Sequence, residues 1–211
     1  MNPLRILLLL VLALSWIGVC HAKEHEFPRD GFAISVPEGW IEIPKDKLDQ
    51  KLAEVNSAAG GTYQLHGDHA FQRDPQAEWM SYPYVVVKIV KTGRMSESQF
   101  TNMDKLATEG AALAEERYGK LVDTMEFGKS YYDFSNHVLW GKMSFEPPIK
   151  TGLGPVSAIG ARSLTEQGGV EVFGYCRKAE LELYEKALEG ILQSVKIAPK
   201  NQYVPERGQR K

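Results

Sequence analysis

In FAISVPEGWIEI, residues 32–43, Phe32, Ile34 and Val36 alternate with Ala33 and Ser35, the period of two of a strand with one buried face. Pro37 has no N–H to give to a ladder and ends that strand. Glu38 and Gly39 bring turn chemistry, and Trp40, Ile41 and Ile43 resume an extended apolar run that Pro44 stops. The stretch predicts a hairpin with a large indole at its corner.

Beyond it, residues 45–59 predict a helix. Leu48, Leu52, Val55 and Ala59 draw one apolar stripe, Lys47, Asp49, Gln50, Lys51 and Glu54 fill the opposite side, and Gly60-Gly61 ends it. YVVVKIVK, residues 84–91, has the β-branched run of a central strand covered on both faces. A second helix starts at Ser96, which with Gln99 resembles a capping box; Phe100, Met103, Leu106, Leu113 and Tyr118 continue it at helical spacing to Gly119. The second half reads as an antiparallel meander with strands at 122–127, 130–134, 137–145, 155–165 and 169–176. Residues 179–193 form a last helix, with Leu181, Tyr184, Leu188, Ile191 and Leu192 inward, that runs into a short strand at 194–197.

The strand ending in VPEGW, the apolar strand and Pro-Lys helix start after it, and the last helix running into a strand together resemble the PsbP-like superfamily. The resemblance covers roughly residues 30–198 and implies that superfamily's α/β/α sandwich: a single α+β domain, an antiparallel β-sheet with helices packed on it. It also implies kinship with exported bacterial proteins. The motifs mark fold and locate no shared active site, so no functional residue is carried over.

Arg5 followed by the apolar run 6–19 and Cys20-His21-Ala22 reads as an export signal cut after Ala22. The run is shorter than the roughly 20 residues of a membrane span. Val19 stands where a lipoprotein signal places a small residue before Cys20, which favours cleavage over lipidation. The expected organisation is a signal peptide at 1–22, a domain at 23–198 and a disordered basic tail at 199–211. No transmembrane span is expected in the mature chain, and Arg207, Arg210 and Lys211 would give the tail only a weak contact with an anionic membrane surface. The location implied is periplasmic or secreted. Lys and Arg number 25 against 27 Asp and Glu, a net charge of −2 that gives no electrostatic ground for a nucleic-acid partner. Cys20 leaves with the signal, and Cys176 alternates onto the face of Val170 and Val172, the place of a small buried hydrophobe. No histidine or helix N-terminus lies near it in sequence to lower its pKa.

Two groups in and just after the stretch 62–83 are candidates for function. His66, Asp68 and His69 are donor types that bind transition metals, although their spacing is that of no zinc motif and Gly67 suggests a turn in which histidines are solvated or bonded to backbone. Trp79, Tyr82 and Tyr84 are candidate partner-binding aromatics, or else rings that close the end of the core. There is no nucleophile elbow and no HExxH, and Gly152-Leu153-Gly154 lacks the Lys and helix start of a phosphate cradle. No catalytic residue is singled out and no cofactor is called for. The expected role is a non-catalytic exported binding or accessory protein of the cell envelope, with an envelope protein as partner. The alternatives are a metal-dependent hydrolase-type enzyme using His66, Asp68 and His69, and a periplasmic small-ligand carrier with an apolar cavity between sheet and helices.

Overall fold

The computed structural model describes residues 22–58, 65–100, 124–146 and 154–205. Along the chain run β1 (Ala22–Phe27), β2 (Phe32–Pro37), β3 (Ile41–Glu42), α1 (Lys45–Ala58), β4 (His69–Gln72), β5 (Tyr84–Val90), β6 (Thr124–Phe127), β7 (Tyr131–Asp133), β8 (Val138–Glu146), β9 (Val156–Thr165), β10 (Gly168–Arg177), α2 (Leu181–Gln193) and β11 (Lys196–Ile197). The predicted second helix begins in a 3-10 turn, Glu97–Phe100; its remainder lies outside the described residues.

The strands form two antiparallel sheets. An eight-stranded sheet has the order β3-β4-β5-β10-β9-β8-β6, with β7 also pairing β8, and a three-stranded sheet has the order β1-β2-β11. The period of two explains how the large sheet serves two cores. Val85 and Val87 of β5, Val170, Val172 and Cys176 of β10 and Ile159 of β9 face one way, into a cluster with Phe32, Ile34 and Val36 of β2 and Leu188, Ile191 and Leu192 of α2. Val86 and Ala70 face the other way, onto Leu48 and Leu52 of α1. Among the described residues one helix therefore covers each side of the sheet, the layering that the β-branched run of β5 requires. The chain has the layered α+β architecture, antiparallel sheet with helices packed on it, that its sequence predicts. Among the described residues no helix is long and apolar enough to cross a membrane.

Three expectations are corrected. Residues 32–43 do not make a hairpin, because β2 pairs with β1 and β11 in one sheet while β3 pairs with β4 in the other. The Trp40 N–H donates to the Pro37 carbonyl across a turn in which Gly39 has φ +88°, and Trp40 packs into the same cluster as Ile34. VPEGW is thus a corner that hands the chain from one sheet to the other over a shared core. The partner that takes the place of β3 is β1, registered on β2 from Ala22↔Pro37 to Phe27↔Phe32. Its charged sequence AKEHEF hides it, since only His25 and Phe27 turn partly inward.

The second correction concerns α1: Leu48 and Leu52 are buried, but Val55 is 41% exposed, so the stripe meets the sheet only in its first members. The third concerns the chain after Pro199. A 3-10 turn, Pro199–Asn201, leads to Gln202, which bridges Thr165, and to Tyr203, which is 7% exposed and packs with Tyr132 and Leu164. Residues 199–205 belong to the folded domain because one large ring outweighs the polarity around it.

Candidate functional site

Tyr84 opens β5 and lies between two other rings, stacked at 5.2 Å on Tyr82 and at 5.0 Å on Tyr175 of β10, directly opposite in register. Phe173 extends the row at 6.4 Å from Tyr175. Trp79 and Met80 pack against the cluster of Ile43, Leu48 and Leu52. The loop that carries Trp79 is held by Gln72, fully buried on β4: its side-chain amide donates to the Asp74 carbonyl at 2.6 Å and its oxygen accepts the Met80 N–H at 2.9 Å. A buried Gln with both ends satisfied fixes the loop in addition to the packing of Trp79 and Met80. Burial pushes the Tyr82 phenol up from its ordinary pKa and the Tyr84 phenol well above it, so both rings keep their protons at neutral pH. Trp79, Tyr82 and Tyr84 are all half-buried. Trp79 and Tyr84 pack against the second core, and all three rings keep part of their surface exposed. At the far side of the loop, Arg73 donates to the Tyr184 hydroxyl at 2.6 Å and lies 5.1 Å from that ring's centroid.

Of His66, Asp68 and His69, the first two line one open cleft and the third lies apart from it. His66 is exposed and lines an open cleft with Lys45, Asp49 and Asn56 of α1. The Asp68 carboxylate accepts the Ile89 N–H at 2.6 Å and thereby caps the ladder between β4 and β5. His69 turns to the opposite face. Its Nε2 lies 3.0 Å from Asp30 and its Nδ1 3.6 Å from Glu42, with Phe27 at 3.8 Å between centroids. His25 of β1 completes this group, 3.7 Å from Glu42 and edge-on to Phe71 at 4.8 Å.

The group of His25, His69, Asp30 and Glu42 joins the two sheets. Burial lowers the His25 pKa, helped by Lys23 and opposed by Glu42, and its Nε2 is buried without a hydrogen-bond partner among the described residues. No three His, Cys, Asp or Glu side chains among the described residues are placed to hold a metal ion. This imidazole–carboxylate group escaped sequence reasoning because His25 sits on the unanticipated β1; the signal available was the alternation of His25 with Phe27.

A second polar group lies under the C-terminal segment. Glu97, 9% exposed, accepts from Tyr132 Oη at 3.2 Å and sits 2.6 Å from His137 Nδ1, while its own N–H donates to Tyr203 Oη at 3.2 Å. Burial and the neighbouring Glu97 carboxylate raise the Tyr132 pKa far above the ordinary phenol range. Cys176 is fully buried, and burial, with Glu180 and Glu185 behind it, pushes its thiol up to about 11. A thiol with that pKa stays protonated at pH 7 and is no nucleophile.

No protein-family model matches the chain, and no curated protein matches it by sequence. Solved structures do. The solution structure of cyanobacterial PsbP from Synechocystis sp. PCC 6803 matches over 86% of this chain and 95% of its own, with a TM-score of 0.55 at 8% identity. The Ran-binding protein Mog1p of Saccharomyces cerevisiae matches over 84% and 96%, with a TM-score of 0.43 at 11% identity. LpqN of Mycobacterium tuberculosis, involved in cell envelope biogenesis, matches over 88% and 96%, with a TM-score of 0.43 at 12% identity. The likeness to cyanobacterial PsbP is one of fold, and it agrees with the layered arrangement described above.

Proposed function

We propose that this protein is a non-catalytic accessory binding protein of the cell envelope, exported by the segment 1–22 and working in the periplasm or outside the cell. The observation that carries this reading is that, apart from the exposed His66, the imidazole and carboxylate groups described above are engaged within the fold. His69 is engaged by Asp30 and Glu42, Asp68 by the Ile89 N–H, and Glu97 by His137 and Tyr132. A general acid or base must instead reach a substrate proton. The surface favoured for contact is the half-buried stack of Tyr82, Tyr84 and Tyr175 with Trp79 in the same loop. Pre-stacked rings lose little freedom on binding and favour a protein partner with an apolar or aromatic surface.

The test is cross-linking in envelope extracts with the full-length protein expressed in its own cells, followed by mass spectrometry. The exported form is expected to begin at Lys23 and to capture a defined envelope protein. Binding of that protein should weaken roughly 30-fold in Tyr82→Ala, the size of an interface hot spot. Trp79→Ala should do the same, with its thermal midpoint recorded because Trp79 also supports α1. Equal capture by wild type and Tyr82→Ala would refute the surface, and a product that retains residues 1–22 would refute the export step.

A further inference from the structure

Where the β1–β2 turn, the end of β5, the β9–β10 turn and the 3-10 turn Pro199–Asn201 meet, they enclose a polar cleft of about 250 Å³. Arg29, Asp30, Lys91, Gln167, Lys200 and Asn201 are among the residues that line it. Three glycines hold the walls this close. A Cβ on Gly31 (φ +74°) would lie 1.8 Å from the Asn201 amide nitrogen, and a Cβ on Gly168 (φ +141°) 2.1 Å from the Val90 carbonyl. Gly93 ties β5 to the opposite turn through its N–H to the Gln167 carbonyl at 3.1 Å.

Its charge is unbalanced. Nearby on the same strands and loops, Lys88 and Arg162 are paired with Glu171, and Arg94 with Glu166. Arg29, Lys91 and Lys200 have no ion pair among the described residues and are exposed at the cleft. The single carboxylate there, Asp30, is 3.0 Å from His69 Nε2. Three cations against one carboxylate leave two positive charges around the cleft. Exposed like charges gathered in a concave place, with a guanidinium fork and amide donors beside them, are stabilised by an anion of matching charge. The volume lies just below the roughly 300–1,000 Å³ of sites for drug-sized ligands, which suits a small head group and not a nucleotide.

We infer that this cleft binds a phosphate monoester dianion, held by Arg29, Lys91 and Lys200 with Asn201 and Gln167 as neutral donors. The charge of about −1.5 to −2 and the three terminal oxygens of such a group match two excess positive charges and several donors better than a single carboxylate does. The source is either a soluble phosphate ester or the head group of phosphatidic acid. The site lies apart from Trp79, Tyr82 and Tyr84, so it stands or falls independently of the partner surface.

The test is an amide chemical-shift titration of the protein with glycerol 3-phosphate and with inorganic phosphate in low salt and in 0.5 M NaCl, together with co-sedimentation on phosphatidylcholine vesicles with and without phosphatidic acid. Saturable shifts at Gln167, Gly169 and Asn201, weakened by salt and weakened about tenfold or more in Lys91→Gln/Lys200→Gln, support the site with a soluble ester as its ligand. Sedimentation that requires phosphatidic acid and is lost in the same variant supports it with the lipid head group as source. Both lysines are exposed, so the variant is expected to melt with the wild type. The inference is overturned if neither phosphate nor vesicle binds, or if the double variant binds both as the wild type does.

Discussion

The contact that sets α2 on the large sheet is the test of how tightly the first core is specified. Gly174 of β10 lies beneath the helix, and a Cβ added to it would meet Leu188 at 2.9 Å from Cδ2, 3.2 Å from Cβ and 3.3 Å from Cγ. Rotation of the Leu188 side chain would relieve the first of these but not the second, so in Gly174→Ala the helix must shift or the side chain must leave its rotamer. Overpacking of this kind costs about 1–3 kcal/mol. The alanine returns about 0.4–1 kcal/mol by restricting the unfolded chain, and the net expectation is a loss of about 1–2 kcal/mol. Leu188→Ala alone removes a fully buried side chain and should cost about 2–5 kcal/mol. In the double variant the new methyl occupies part of the space that Leu188 vacates. Leu188→Ala removes the Cγ and Cδ2 contacts but keeps the Cβ at 3.2 Å, so the two losses should add only in part, with a coupling of about 0.5–2 kcal/mol. Urea unfolding followed by far-ultraviolet circular dichroism measures all four corners of the cycle, with an unchanged slope as the check that only stability moved. Strict additivity would show that Gly174 does not make room for the Leu188 Cγ and Cδ2, and would refute the reasoning.

Two further outcomes are expected. His25 has a folded pKa below its unfolded value of 6.5, chiefly because it is buried. The unfolded chain then binds more protons as pH falls through 6.5, so this residue subtracts stability progressively below that pH and subtracts none above it. His25→Phe should keep the contact with Phe71 and flatten that part of the pH dependence, read as the difference in urea midpoint between pH 7.5 and 5.5; an unaltered difference would remove His25 as its source. At the other end, Tyr203→Ala should cost about 3–5 kcal/mol, the loss for a buried aromatic ring, while Tyr203→Phe, which gives up only the bond from the Glu97 N–H, should cost about 1–3 kcal/mol. Denaturant midpoints equal to wild type in both would mean that residues 199–205 add nothing to the domain.

The elements legible in the sequence are those whose partners could be any apolar surface. The β-branched run of β5 and the inward stripe of α2 specify burial whatever lies opposite, and they appear where the periodicity places them. The apolar alternation of β2 was equally plain, but its partner was not, because β1 spends most of its length on charged residues that face solvent. Tyr203 is similar: one ring in a polar segment, anchored to Glu97, whose place in the chain lies 106 residues earlier. Local pattern weighs the polar majority, and packing weighs the ring.

The corner at VPEGW shows how one topological misreading carries into the chemistry. Had β2 and β3 been a hairpin, Glu42 would have belonged beside β2, and His69 would have stayed with His66 and Asp68 in a polar turn, where a metal is the natural thought. Because Pro37 and Gly39 pass the chain to the second sheet, β3 lies against β4 with Glu42 opposite Phe71, next to His69. The β1–β2 turn then brings Asp30 in from the first sheet, and the imidazole meets two carboxylates that its own loop could not supply. His69 is therefore a joint between sheets, and Asp30, which holds it, also lines the cationic cleft. The electrostatics of the cleft and the seam between the sheets are coupled through that one carboxylate. Loss of Asp30 would leave Arg29, Lys91 and Lys200 with no carboxylate in the cleft lining, and would leave His69 with Glu42 alone.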